Sequence, residues 1–282
     1  MQKIRTVKAM TAWSRKIQRE GVRIGFVPTM GALHDGHRAL IRAARLAGDA
    51  VVVSIFVNPL QFGSLEDFDR YPRVLAKDLR LCEQEGTDAI FIPRAQDLYP
   101  PEFETAVSVQ WLTRRFEGLS RPGHFEGVTT VVTKLLNIVR PDQAFFGQKD
   151  YQQAVVVERL VTDLNLETEI VLRPTVRESD GLAFSSRNRF LSPEEREAAT
   201  VLYRALAAGR DLIRTGERSV KKIEAAMTRL IRAEPLARVD YLSVVHPATL
   251  DEVRVVRGRV VLLLAVWIGE TRLLDNMVVS AR

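Results

Sequence analysis

Cysteine is almost absent from this 282-residue chain. Cys82 stands alone, which excludes an intramolecular disulfide framework and a thiolate zinc cluster and suits a reducing compartment, with the cytoplasm as the expected location. Long apolar runs are also missing. The longest, residues 260–268, is too short to span a bilayer, and the stretch from Met1 to Lys8 has no apolar signal core, so neither membrane insertion nor export is expected. Nor is there a block of one charge sign. The formal charge of +6 comes from 41 Lys and Arg interspersed with 35 Asp and Glu, so a positive cleft for phosphorylated small molecules is a more economical expectation than a nucleic-acid surface. Internal repeats, low-complexity tracts and coiled-coil heptads are lacking too. What is there, 46% hydrophobic and 27% charged residues, is the composition of a folded globular protein with room for one large domain and a smaller one.

Extended apolar runs at residues 23–28, 50–58, 89–93 and 143–146 read as buried strands. Between and after them, residues 37–48, 75–86, 128–139 and 153–164 carry apolar side chains at three- and four-residue spacing, as helices do. This alternation predicts an α/β fold, a Rossmann-like doubly wound parallel sheet whose last strand is 170–176. The pattern then changes. Ser192-Pro193-Glu194-Glu195 is a helix start, predicting a long helix towards Gly216, and a second helix over 220–233 precedes strands at 239–245, 260–268 and 272–279. A boundary between Val176 and Ser192 gives two domains, 1–180 and a smaller α+β C-terminal domain, 181–282.

The sharpest chemical signal is Val27-Pro28-Thr29-Met30-Gly31-Ala32-Leu33-His34-Asp35-Gly36-His37, at the junction of the first predicted strand and a helix. In an open parallel sheet such a junction faces the ligand crevice, and the helix start offers N–H groups and partial positive charge to phosphate. His34 and His37, three apart, project from one face, as in the H-x-G-H arrangement of adenylyl-transferring nucleotide binders. Two such histidines can instead be a metal pair, although no cysteine or third well-placed ligand accompanies them. A second segment, Gly147-Gln148-Lys149-Asp150, again follows a strand and opens a helix. An ammonium at a helix start is disfavoured by the dipole, so Lys149 is better explained by an anionic partner such as an α-phosphate. The third segment, Phe184-Ser185-Ser186-Arg187, combines hydroxyls and a guanidinium that suit phosphate, or serves as a polar linker.

These segments, in this order, with Phe56-Val57-Asn58-Pro59-Leu60-Gln61-Phe62 after the second predicted strand and Arg121-Pro122-Gly123-His124-Phe125-Glu126-Gly127-Val128 before a helix, resemble the pantothenate synthetase family over nearly the whole chain. The resemblance implies ATP-dependent condensation of pantoate with β-alanine through an enzyme-bound pantoyl adenylate, with ATP as substrate, magnesium and a homodimer. It implies that Met30, Gly31, Ala32, Leu33, His34, Asp35, Gly36 and His37 wrap the ATP phosphates, that Gly147, Gln148, Lys149 and Asp150 form a second ATP segment, and that Phe184, Ser185, Ser186 and Arg187 form a third. Val176 matches a backbone contact to adenine, and Phe184 stands where Met or Leu is the family's habit. His37, with His34 and Lys149, is then catalytic; Gln61 and Gln153 hold pantoate, Gln61 also meets β-alanine, and the smaller domain acts as a lid. Asp78 matches an acid linked to magnesium, beside a basic Lys77, with an exposed helical aspartate as the plainer explanation. His124 lines the pocket or caps a helix, and His246 is structural. Two other readings stay open: a related nucleotidyltransferase acting on a phosphate ester, which Gln61 and Gln153 argue against, and an RNA-binding module, for which no aromatic recognition signature is present.

Overall fold

Ala50–Ile55 contains six consecutive buried residues, four of them Val or Ile. A strand with that pattern must be covered on both faces, as parallel strands are. The computed structural model describes residues 1–63, 68, 69 and 71–281 and divides the chain into two compact units, Met1–Gly147 with Gln152–Pro174, and Gln148–Tyr151 with Thr175–Arg282.

The first unit runs β1 (Gln2–Ile4), α1 (Val7–Arg19), β2 (Ile24–Thr29), α2 (Asp35–Leu46), β3 (Ala50–Ile55), α3 (Leu75–Gln84), β4 (Ala89–Phe91), α4 (Ala95–Leu98), α5 (Glu117–Ser120), α6 (His124–Val139), β5 (Gln143–Gly147), α7 (Tyr151–Asp163) and β6 (Glu169–Arg173). Its six strands are parallel in the order β1-β4-β3-β2-β5-β6. The chain winds outward from β2 through β3 to β4, then returns to β5 on the other side of β2. The order therefore reverses between β2 and β5, which puts the ligand crevice of such a sheet at their carboxyl ends. Alternation along each strand feeds two cores. Phe26 and Val52 pack with Phe91, Val132, Leu136 and Leu160 on one face; Val27, Val51 and Val53 pack with Ile41, Leu81 and Phe145 on the other.

The second unit contains α8 (Pro193–Ala198), α9 (Val201–Arg214), α10 (Val220–Arg232) and an antiparallel sheet of β7 (Ala237–Val245), β8 (Arg259–Ile268) and β9 (Thr271–Ser280) in that order. Leu202, Leu206, Ile223 and Met227 pack on Leu262, Leu264 and Val266.

The expected α/β class and its smaller α+β companion are thus observed, with three differences. β1 and α1 escaped the sequence reading, although Val7, Met10, Trp13 and Ile17 carry a helical spacing and Thr6 caps the helix by accepting from Ala9 N. The last parallel strand ends at Arg173, because Pro174 has no N–H to continue a ladder, and the long segment of the second unit begins at Thr175. The single helix predicted from Ser192 is interrupted at Ala199 and Thr200. There Thr200 N donates to Glu197 O and Leu202 N to Ala199 O, the tighter three-residue pattern, while Thr200 Oγ1 donates back to Glu197 O at 2.8 Å.

Candidate active site

The loop after β2 is shaped by backbone conformation that few side chains permit. Thr29 Oγ1 donates to Ser54 O at 2.7 Å and accepts from Gly31 N. Gly31 and Ala32 then both take positive φ, 84° and 52°. A Cβ on Gly31 would lie 3.0 Å from Asp78 Oδ2, so glycine is required for both its conformation and its space. The N–H groups of Ala32 and Leu33 converge on Asp78, donating to Oδ2 at 2.9 Å and Oδ1 at 2.8 Å. Asp78 is 1% exposed on α3, so the expectation of an exposed helical aspartate is corrected. Nor do its surroundings fit a resident magnesium: both oxygens serve the loop, and among the described residues no group of three His, Cys, Asp or Glu is arranged to hold a metal.

The loop ends in a capping box built from the two motif histidines. His34 is the N-cap of α2 and its Nδ1 accepts from Gly36 N at 3.2 Å, while His37 Nδ1 accepts from the backbone N–H of His34 at 3.3 Å. The rings are 4.2 Å apart between centroids. With both Nδ1 atoms accepting, Nε2 carries the proton in each neutral ring. A proton on Nδ1 of His37 would have to displace the His34 N–H, so its ring is suited to donate through Nε2.

Beyond β3, Asn58 caps the 59–61 turn and is 1% exposed. Its Nδ2 donates to Gln61 Oε1 and Gly127 O, and its Oδ1 accepts from Leu60 N and Tyr99 OH. Burial pushes the Tyr99 phenol up, so it stays a neutral donor. Gln61 Nε2 lies 3.0 Å from Met30 Sδ, which joins the expected pantoate glutamine to the first nucleotide segment. His124, at the start of α6, is buried. Its Nε2 is 2.9 Å from Arg121 Nη1; because a guanidinium only donates, Nε2 must accept, and Nδ1–H donates to Gln61 O at 2.9 Å. Adjacent glutamines on α7 differ sharply. Gln152 is buried and bonds the backbone of Leu112, Arg115 and Glu117, while Gln153 is only half-buried.

Within the second unit, the Gln148–Asp150 turn brings Lys149 to an open recess also lined by Ser185, Arg187, Asn188, Arg272 and Asp275. Lys149 Nζ is 3.3 Å from Asp150 Oδ1 and its side chain is 18% exposed. Val176 O accepts from Phe184 N, closing a hairpin that delivers Ser185, whose Oγ accepts from Arg187 N. Ser186 follows as the first residue of the Ser186–Phe190 turn. The structure therefore gathers Lys149, Ser185 and Arg187 around one recess. His246, as expected, is structural: its Nδ1 accepts from Ala248 N and Thr249 N. Sequence reasoning missed Tyr99, Asp275 and Asn276, which lie in no motif, and gave no role to Gly127 within the motif that precedes α6; each acts through contacts with residues far along the chain.

An open parallel sheet with an H-x-G-H helix start at its point of reversal defines a nucleotide-binding α/β enzyme. The comparisons narrow that class. The family model described as Pantoate-beta-alanine ligase matches residues 2–278. The pantothenate synthetase of Heliobacterium modesticaldum is 57% identical over 280 residues, 99% of this chain and 100% of that one, and that of Moorella thermoacetica is 52% identical over 280 residues, 99% of each. Among solved structures, pantothenate synthetase from Thermus thermophilus superposes with a TM-score of 0.93 at 47% identity, covering 98% of this chain and 99% of that one. Pantoate-beta-alanine ligase from Francisella tularensis, complexed with beta-gamma ATP and beta-alanine, gives 0.81 at 33% identity over 98% and 97%. The chain belongs to the pantoate–β-alanine ligase family.

Proposed function

We propose that this chain condenses (R)-pantoate with β-alanine, driven by ATP, through a pantoyl adenylate, releasing AMP and pyrophosphate. The observation that carries the reading is the Met30–Gln61 contact, which joins the histidine-capped loop to a buried amide pocket within one unit. A carboxylate is a poor acyl donor because oxide is a poor leaving group. In the first half-reaction the pantoate carboxylate oxygen attacks the α-phosphorus of ATP, and pyrophosphate leaves with its bond electrons. In the second, the β-alanine amine attacks the acyl carbonyl, loses a proton, and AMP departs. Gln61 and Gln153 bind pantoate through amide donors and acceptors, and Gln61 also meets β-alanine. Asn58, which orients the Gln61 amide, joins them.

His34 and His37 donate through Nε2–H to phosphate oxygens, and Lys149 stabilises the charge that builds on the α-phosphate. Met30 to His37, Gly147 to Asp150 and Phe184 to Arg187 contact ATP, with Val176 at adenine. Magnesium enters with ATP as part of the substrate, carried by the β- and γ-phosphates rather than by Asp78. The second unit serves as a lid that keeps water from the mixed anhydride. The active species is a homodimer in the cytoplasm; the side chains of Trp111 and Leu119, 74% and 71% exposed, are apolar surface of the kind a second subunit covers. No helix among the described residues is long and apolar enough to cross a membrane.

Incubation with ATP, magnesium, pantoate and β-alanine should yield AMP and pantothenate in equal amounts; a product that retains the nucleotide would point to a nucleotidyltransferase instead. Lys149→Ala should lower pantoate-dependent ATP–pyrophosphate exchange about 10²- to 10³-fold, and wild-type exchange would remove Lys149 from the mechanism.

A further inference from the structure

Lys149 is held by a side chain from near the other end of the sequence. Asn276 on β9 is 2% exposed, and its Nδ2 donates to Gln148 O at 2.8 Å and to Lys149 O at 2.7 Å. Its Oδ1 accepts from Gln148 Nε2 at 3.3 Å. A primary amide has two N–H donors and an oxygen acceptor, and all of them are directed at one three-residue turn. The carbonyls on either side of the Lys149 Cα are thereby fixed, which sets the direction in which the side chain leaves the backbone. The preceding β9 residue performs a parallel task. Asp275, 3% exposed, receives Arg177 through two bonds of 2.6 and 3.0 Å, and Arg177 Nη1 also donates to Gly181 O, fixing the hairpin that leads to Ser185 and Arg187.

We propose that Asn276 is a positioning residue for adenylation, acting through Lys149, with Asp275 and Arg177 setting the facing edge of the same recess. The inference rests on the assignment of Lys149 to the α-phosphate. A bond from a buried amide to each flanking carbonyl is more than the turn needs to fold, since carbonyls at a strand-to-helix turn are readily satisfied by water. It is what is needed to hold an ammonium to within a fraction of an ångström, where a displacement of about 1 Å costs about 10²-fold in rate.

The test is a double-mutant cycle read by pantoate-dependent ATP–pyrophosphate exchange. Asn276→Ala should lower the exchange kcat about 10- to 100-fold while leaving the KM for pantoate within about twofold. In a Lys149→Ala background the same change should cost less than about twofold, because the group it positions is gone. An equal fold loss in both backgrounds, or no loss in the Lys149-containing enzyme, would overturn the proposal. Asn276→Ser, which keeps one donor and less volume change, should be intermediate and show the same background dependence. If both variants lose their thermal unfolding transition, the amide is structural and the proposal fails. Absence of exchange in the unmodified enzyme would instead defeat the assigned reaction, a separate result.

Discussion

Asp78 directs both carboxylate oxygens at consecutive backbone N–H groups, and that geometry decides what a substitution there does. Asp78→Asn presents one N–H₂ group to a backbone donor, leaving a buried N–H without a partner at a cost of about 1–3 kcal/mol. The loop carrying Met30 to His34 loosens with it. A lower Tm and a raised KM for ATP are expected, with an unchanged magnesium concentration for half-maximal activity; a several-fold shift in that magnesium dependence would return the carboxylate to the metal. The two histidines illustrate the same scale. Their spacing is legible as a phosphate-facing pair, but only the geometry reveals that each Nδ1 accepts a backbone N–H, which leaves Nε2 as the nitrogen that donates.

At the scale of elements, the decisive contact is between α6 and the 59–61 turn. A Cβ on Gly127 would fall 2.2 Å from Leu60 O and 2.5 Å from Gln61 N, so the helix packs against that turn only because it carries glycine there. The close approach lets Gly127 O accept from Asn58 Nδ2, and His124, one turn earlier, secures Gln61 O. Gly127→Ala must push the turn away. The expected result is a stability loss of about 1–3 kcal/mol and a rise of several-fold in the KM for pantoate with little change in that for ATP, read by thermal melts and steady-state kinetics. Helices were legible from their apolar period, yet the start of α6 was placed at residue 128 rather than His124. Its first turn buries His124, Phe125 and Gly127 around an exposed Glu126, and a histidine and a glycine supply no apolar period from which that turn could be read.

At the scale of the whole molecule, the first unit carries a buried and only partly compensated carboxylate that should shape its response to pH. Asp49 is 1% exposed, neither of its oxygens has a hydrogen-bond partner among the described residues, and Arg23 Nε approaches only to 3.6 Å. Burial pushes its carboxyl above the ordinary range; Arg23 opposes this, while Asp142 and Glu169 add to it. The folded state therefore binds a proton more readily than the unfolded chain does. Stability is lost as pH rises from the ordinary aspartate value of about 4 through the raised one. Asp49→Asn should accordingly raise Tm at neutral pH, with the gain shrinking as pH falls towards about 4. A pH-independent difference between the two proteins would contradict the argument.

The sequence by itself determined the fold class, the strand–helix alternation and the segments that carry the chemistry. Hydrophobic periodicity, capping residues and motif order are local, and they are written wherever the chain must bury one face or open a helix towards phosphate. Only the tertiary structure decided that Asp78 closes the β2 loop, that Asn58 and His124 jointly hold Gln61, and that Lys149 belongs with β9 and its Asn276. Those partners are brought together by strand order and packing, and a buried amide or carboxylate looks the same in a sequence whichever backbone it serves.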